Sequence, residues 1–191
     1  RICVITSAQP ATIAAKKLLD ILRSLPESSE IVLDGKESRL TLKAGKSRFS
    51  LQTLPAADFP KLAETGEAVT SFSLNRKTFK AQLEKVQYAM ANQDIRYYLN
   101  GMLISVAAGK VTAVATDGHR LSFAESNMDG GEAKAEAILP RKTVAELIKL
   151  LDDGDADSSV NVTLKTNQVR FDLGNTELSS KLIDGKFPDY T

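Results

Sequence analysis

Residues 141–173 read RKTVAELIKLLDDGDADSSVNVTLKTNQVRFDL. Val144, Leu147, Ile148 and Leu151 recur at i, i+3, i+4 and i+7, so residues 141–151 present one apolar helical face. Pro140 stands just before that helix, where its missing N–H costs nothing, and Asp152-Asp153-Gly154 stops it. The period then changes from 3.6 to two. Val160, Val162 and Leu164, and then Val169, Phe171 and Leu173, alternate with polar residues. Strands over 160–164 and 168–173 therefore bury one face each, joined by a turn at Thr166-Asn167. A helix laid over one face of an antiparallel sheet is the unit this stretch predicts.

The same pattern recurs upstream. Residues 49–60 (FSLQTLPAADFP) and 177–188 (ELSSKLIDGKFP) match at an offset of 128, with Leu54 on Leu182 and Phe59-Pro60 on Phe187-Pro188. Leu19 falls on Leu147 and Leu22 on Leu150 at that offset. A helix over 12–25 aligns Leu18, Ile21, Leu22 and Leu25 and ends at Pro26. A helix over 76–90 aligns Phe79, Leu83, Val86 and Met90, with Asn75 as N-cap. Asp34-Gly35 is the expected hairpin turn between strands 30–33 and 39–43, and Ala108-Gly109 that between 103–106 and 111–115. Helix, hairpin and strand thus repeat three times. The fold class is α+β, with helices on one face of antiparallel sheets. The expected domain boundary is Ala63–Thr70, around Gly66, and Asn127–Glu136, around Gly130-Gly131, reads as a solvated loop.

The chain has 191 residues, 42% apolar and 26% charged, enough for a real core in one domain or two small ones. No apolar run approaches the ~20 residues of a membrane span. One cysteine, Cys3, and one histidine, His119, exclude a disulfide framework, a thiolate metal site and a multi-histidine site. Gly101, Gly109 and Gly118 form no dinucleotide fingerprint, and Asp152, Asp153, Asp155 and Asp157 lack the EF-hand spacing. No metal or cofactor is expected. The chain opens on Arg1-Ile2-Cys3-Val4-Ile5 without Met or a signal pattern and closes on Phe187–Thr191 without a helix stop. It reads as an internal piece of a longer protein, and its single cysteine favours the cytoplasm.

The net charge is only +1, but it is sorted. The three helices carry +2, +3 and +2, which leaves −6 elsewhere. A basic helical layer on a near-neutral protein suits a phosphate backbone; Lys and Arg are also simply good helix formers. Two stretches gather chemistry. Thr116-Asp117-Gly118-His119-Arg120-Leu121 holds an acid, the imidazole and a guanidinium, yet no nucleophile, and reads as a turn or binding element more readily than a catalytic one. Gln93-Asp94-Ile95-Arg96-Tyr97-Tyr98 follows the most basic helix with groups able to hydrogen-bond or stack on nucleic acid, unless one tyrosine is core.

Residues 93–103 (QDIRYYLNGML) and 114–121 (VATDGHRL) resemble the bacterial DNA polymerase III beta subunit, the sliding clamp. So do residues 47–51 (SRFSL), 53–60 (TLPAADFP) and 181–190 (KLIDGKFPDY), in the family's order. The resemblance runs nearly end to end. It implies that residues 1–66 are the second half of the first clamp domain and 70–191 nearly all of the middle one, the first half of domain one and the third domain being absent. It implies a non-catalytic processivity factor of a DNA-directed DNA polymerase. Such clamps are head-to-tail homodimeric rings with helices inside and sheets outside, which encircle duplex DNA irrespective of sequence and bind DNA polymerase III, other polymerases and the clamp loader through a peptide pocket.

Site residues carry over by position. The resemblance places DNA contacts at Gln93, Tyr97 and Tyr98, with Arg96 beside them; the charge pattern adds Lys77 and Lys80, with Lys85. The peptide pocket falls on Leu99, Thr116, Gly118, His119, Arg120, Leu121 and Pro188, with Leu99, Leu121 and Pro188 as its apolar walls. The subunit interface falls on Lys17, Ile21, Leu25, Lys46, Arg48 and Phe49. Lys46 stands where the family commonly has Arg, which exchanges a bidentate fork for a point charge. Two other readings remain open. A hydrolase built on Asp117 and His119 needs a nucleophile or metal beside the imidazole. A repeat scaffold without DNA needs no basic layer.

Overall fold

Three helices and thirteen strands occur among residues 2–5, 10–36, 38–60, 67–128, 134–153, 155 and 157–190, which the computed structural model of the chain describes. Gly66, Gly130, Gly131 and Gly154, expected in turns and loops, lie outside those residues. The chain divides into two compact units, Arg1–Leu62 and Ala63–Thr191.

Unit 1 runs β1 (Ile2–Ile5), β2 (Ala11–Ile13), α1 (Ala15–Ser24), β3 (Glu30–Lys36), β4 (Arg39–Ala44) and β5 (Ser47–Pro55). Its sheet has the order β1-β3-β4-β5-β2, antiparallel except for the parallel pair β1–β3. The helix expected over 12–25 begins only at Ala15. Thr12 and Ile13 are β-branched and pair with Leu54 and Thr53 of β5 instead. The turn expected at Asp34-Gly35 also moves. Both residues lie inside β3, opposite Thr41 and Leu40, and the chain reverses after Lys36. A turn at 34–35 would have set Leu33 against Lys36; the observed register sets it against Leu42, which is fully buried. Leu18, Ile21 and Leu22 of α1 pack on Leu25, Ile31, Leu42 and Ala44, but no residue of α1 itself is fully buried.

Unit 2 contains the pattern twice: β6 (Ala68–Asn75), α2 (Arg76–Gln87), β7 (Gly101–Ala107), β8 (Lys110–Thr116) and β9 (Leu121–Asn127); then β10 (Ala135–Pro140), α3 (Arg141–Asp152), β11 (Ser159–Lys165), β12 (Gln168–Asp172) and β13 (Glu177–Lys181). Each copy is strand, helix, three strands, and unit 1 holds one such copy in β2 to β5. The offset of 128 superimposes the trailing strands of that copy, β3, β4 and β5, on β11, β12 and β13.

The two copies in unit 2 exchange their leading strands. β6 pairs with β11 and β10 with β7, which gives the sheets β13-β12-β11-β6 and β10-β7-β8-β9. Ala108 and Gly109, at φ +51° and +74°, make the expected hairpin turn. Gly101 is required where β7 meets β10, since a Cβ there would lie 2.6 Å from the Leu139 carbonyl oxygen.

Phe79, Leu83 and Val86 of α2 and Val144, Leu147 and Leu151 of α3 share one core with Met102, Ile104, Val111, Ala113, Val160, Val162 and Phe171. Helix α2 stops three residues short of Met90, although Ala89 and Met90 remain buried. The Asn75 carboxamide caps its start, accepting from the Thr78 N–H at 3.0 Å. Gln82 is a buried polar residue beside this core, 4% exposed. Its Nε2 donates to the carbonyls of Val111 and Ala124, and its Oε1 accepts from Ser126 Oγ.

Candidate nucleic-acid and partner-binding site

The copies differ most where helix passes into strand. Five residues separate α1 from β3 and six separate α3 from β11, but thirteen, Tyr88–Asn100, separate α2 from β7. Insertions confined to one copy of a repeat commonly form its binding face. This one carries Gln93, Arg96, Tyr97, Tyr98 and Leu99, and it is tightly tied. The Ala91 N–H donates to the Leu99 carbonyl at 2.9 Å. The Asp94 N–H donates to Asn100 Oδ1 at 2.9 Å, and Asn100 Nδ2 donates back to the Asp94 carbonyl at 2.8 Å.

Gln93 bends the chain at φ +60°, an uncommon conformation for a non-glycine residue. Held in this way, the loop exposes Gln93, Ile95 (96%), Arg96 and Tyr97 (56%). Tyr98 is half-buried, edge-on to Tyr97, and packs against the cluster of Leu103, Val114, Ile138 and Phe187. Leu99 was expected as an apolar wall of the peptide pocket. It is 2% exposed and belongs to the interior.

The second element is the turn between β8 and β9. Asp117 Oδ1 accepts from the N–H groups of His119 and Arg120, both at 3.0 Å, and Oδ2 accepts from Arg120 Nε at 3.1 Å. Those backbone bonds, His119 first, hold the Asp117 carboxyl below the ordinary carboxylate range. Asp117 thus meets His119 through the main chain as a turn-forming group, and not as the orienting acid of a catalytic pair. Thr116 Oγ1 donates to the Arg120 carbonyl at 2.7 Å and accepts from the Gly118 N–H at 3.1 Å. Gly118 takes φ +89°, which a side chain would strain. The Arg120 guanidinium lies 5.5 Å from the Tyr88 ring centre and donates to the Tyr88 carbonyl, fastening turn to loop.

Leu121 opens β9, an edge strand, and is 47% exposed; Phe123, two residues on, is 52% exposed. Phe123 meets the Tyr190 ring at 6.3 Å, and Tyr190 meets Phe187 at 6.5 Å. Exposed Pro188 lies between those two rings in sequence. A hollow of about 500 Å³ opens beside the turn, lined by Tyr88, Gln93, Asp94, His119, Arg120 and Arg141 among others.

The basic helices divide into occupied and open charges. Arg76 is 6% exposed and bonds the Leu150, Leu151 and Asp153 carbonyls at the end of α3. Arg141 bonds the Met90 and Ala91 carbonyls just beyond α2. Lys80, expected at DNA, lies 2.7 Å from Asp152 and 3.3 Å from Glu84, and both carboxylates raise its pKa. Lys77, Lys85 and Lys142 are exposed and make no ion pair among the described residues. Of the expected interface residues, Lys17, Lys46 and Arg48 are exposed, Ile21 and Phe49 are half-buried against their own unit's core, and Leu25 is 8% exposed. The arginine caps and Gln82 were not anticipated. The signal was there: Arg-Lys-Thr occurs at 76–78 and again at 141–143, each time after the last residue of a strand.

Among solved structures, this architecture matches sliding clamps. The DNA polymerase III subunit beta of Pseudomonas aeruginosa bound to griselimycin superposes with a TM-score of 0.87 at 42% identity, over 94% of this chain and 48% of that one. The corresponding protein of Bartonella birtlesii, also bound to griselimycin, gives 0.88 at 39%, over 97% and 50%. The curated beta sliding clamp of Escherichia coli is 41% identical over 100% of this chain and 52% of its own, and that of Salmonella typhimurium 41% over 97% and 51%. The chain therefore spans about half the length of the curated relatives it matches. Family models described as the DNA polymerase III beta subunit match it over residues 4–63 (N-terminal domain) and 73–189 (central domain). The chain belongs to the DNA polymerase III beta subunit family.

Proposed function

We propose that this chain is the part of a DNA sliding clamp comprising residues 1–66 as the second half of the first domain and 70–191 as the middle domain. The repeat count supports the division. Unit 2 has two copies that complete each other by exchanging leading strands, whereas unit 1 has one, with an α1 face only half covered. A further copy and a third domain would complete a subunit, and a second subunit would close the ring through Lys17, Ile21, Leu25, Lys46, Arg48 and Phe49. Partners are then duplex DNA, DNA polymerase III and other polymerases, and the clamp loader, in the cytoplasm. The clamp does no chemistry and needs no metal or cofactor.

The observation that carries this reading is the inserted loop Tyr88–Asn100, unique to one copy and adjoining the β8–β9 turn. Gln93, Tyr97 and Tyr98 meet the duplex, helped by lysines of α2. Charge on helix faces attracts phosphate without fixing a register, so the ring slides. Thr116, Gly118, His119, Arg120, Leu121 and Pro188, over buried Leu99, receive a partner peptide's apolar anchors. Griselimycin is bound by the two related clamps, and we propose that it seats on this same surface, which makes it the probe.

The test is topological. Loaded by its clamp loader onto nicked circular DNA, the full-length protein should co-elute with the circle and be lost when the circle is linearised. Retention on linear DNA equal to that on the circle defeats the reading.

A further inference from the structure

Arg96 lies in the loop assigned to DNA, between exposed Ile95 and Tyr97, and its side chain is 48% exposed, yet its guanidinium is folded back onto its own loop. Nε donates to Asp94 Oδ1 at 3.0 Å and Nη2 to Asp94 Oδ2 at 2.9 Å, a bidentate pair. Its own N–H donates to the same Oδ1 at 2.8 Å. Asp94 is itself fixed, because its backbone is held from both sides by the Asn100 carboxamide. From that seat Nη2 reaches the Asp117 carbonyl at 3.4 Å. The guanidinium lies against Gly118, where a Cβ would fall 3.1 and 3.2 Å from its two terminal nitrogens. The loop and the turn are thus clipped together at two points, Arg96 on Asp117-Gly118 and Arg120 on Tyr88.

We propose that Arg96 is a positioning residue and not a DNA contact: locked by Asp94, it braces Asp117-Gly118 and so sets the direction in which His119, Arg120 and Leu121 are offered to a partner. This rests on the clamp reading above and deepens it. Two features separate the role from phosphate binding. The fork is spent on a carboxylate. The contact with Gly118 needs a flat group. A lysine would keep the positive charge but could not supply the fork, the flat face and the reach to Asp117 together.

The charge-preserving variant decides. In the full-length clamp, Arg96→Lys and Arg96→Ala should both weaken griselimycin binding by roughly 2- to 30-fold, the range for residues acting through a neighbour. Both should leave the salt dependence of duplex binding unchanged and speed amide hydrogen exchange at His119 and Arg120. A phosphate contact behaves oppositely: Arg96→Lys is silent, and Arg96→Ala lowers the salt slope by about 1. That pattern, or unchanged exchange in both variants, overturns the proposal. A wild-type clamp that binds neither duplex nor griselimycin overturns the clamp reading itself, and the proposal with it.

Discussion

Arg76 and Arg141 stand at the same place in two copies of one motif, the first position of a helix leaving a strand. Each reaches across to carbonyls left open at or beyond the far end of the other helix, as helix termini require. The pair locks α2 and α3 head to tail, Arg76 from the interior and Arg141 nearer the surface. As letters the two arginines look like part of a basic layer, because charge is visible in a sequence and its partner is not. Their partners are backbone carbonyls, which no side-chain pattern announces. Replacing Arg76 by Met should cost about 1–3 kcal/mol, since it strips bonds from buried carbonyls while keeping an apolar stem. Arg76→Lys should recover only part of that loss. Arg141→Met should cost less, because its site is more exposed. Urea unfolding of the three variants against the parent measures each difference, and an equal, negligible effect of Arg76→Met and Arg141→Met would contradict the capping role.

At the scale of elements, period was a dependable guide where burial decides the outcome. Helix α3 and strands β11 and β12 lie where alternation and 3.6-residue spacing put them, because one face of each meets the shared core. The misplaced elements are those chosen by pairing. β2 was hidden at the front of an apparent helix because β5 offers Thr12 and Ile13 a ladder, and the Asp34-Gly35 turn gave way to a register that sets half-buried Leu33 against buried Leu42. Of the site, the two stretches 93–98 and 116–121 could be read from residue types, but their joining could not. Asp94, passed over as one acid among many, turns out to organise the loop. Its carboxyl is lowered to about 2 from 3.8, first by the side-chain bond from Arg96 and then by the Arg96 backbone N–H. A lowered native pKa means the contribution is full above the unfolded value and is lost as pH falls through the native one. The loop should therefore keep its form through mildly acidic solution and loosen only between about pH 4 and pH 2. The Arg96 amide resonance reports this directly, with an expected midpoint near 2; a midpoint at the ordinary 3.8 would show that the Asp94–Arg96 bond is not formed in solution.

The whole molecule turns a +1 net charge into a local field, but with fewer free cations than a count of helix residues suggests. Arg76 and Arg141 are engaged with carbonyls, Lys149 with Glu146, and Lys80 with Glu84 and Asp152. In unit 2 that leaves Lys77 and Lys85 on α2 and Lys142 on α3 as open charges on the helices. Counterion release depends on cations that reach phosphates, so the open lysines should dominate the salt dependence. Changing Lys77 and Lys85 together to Gln should weaken duplex binding equally across sequences. It should also lower the slope of log affinity against log salt by about 0.9 for each phosphate that is no longer neutralised. Lys80→Gln should weaken binding through the carboxylates it unmasks, while leaving the slope nearly unchanged, if its charge stays with Glu84 and Asp152 when DNA is bound. Titration of the full-length clamp with a fixed duplex across a series of salt concentrations separates the two. If Lys80→Gln flattens the line as much as the double change does, Lys80 leaves its carboxylates for DNA and the division of charges drawn from the structure is wrong.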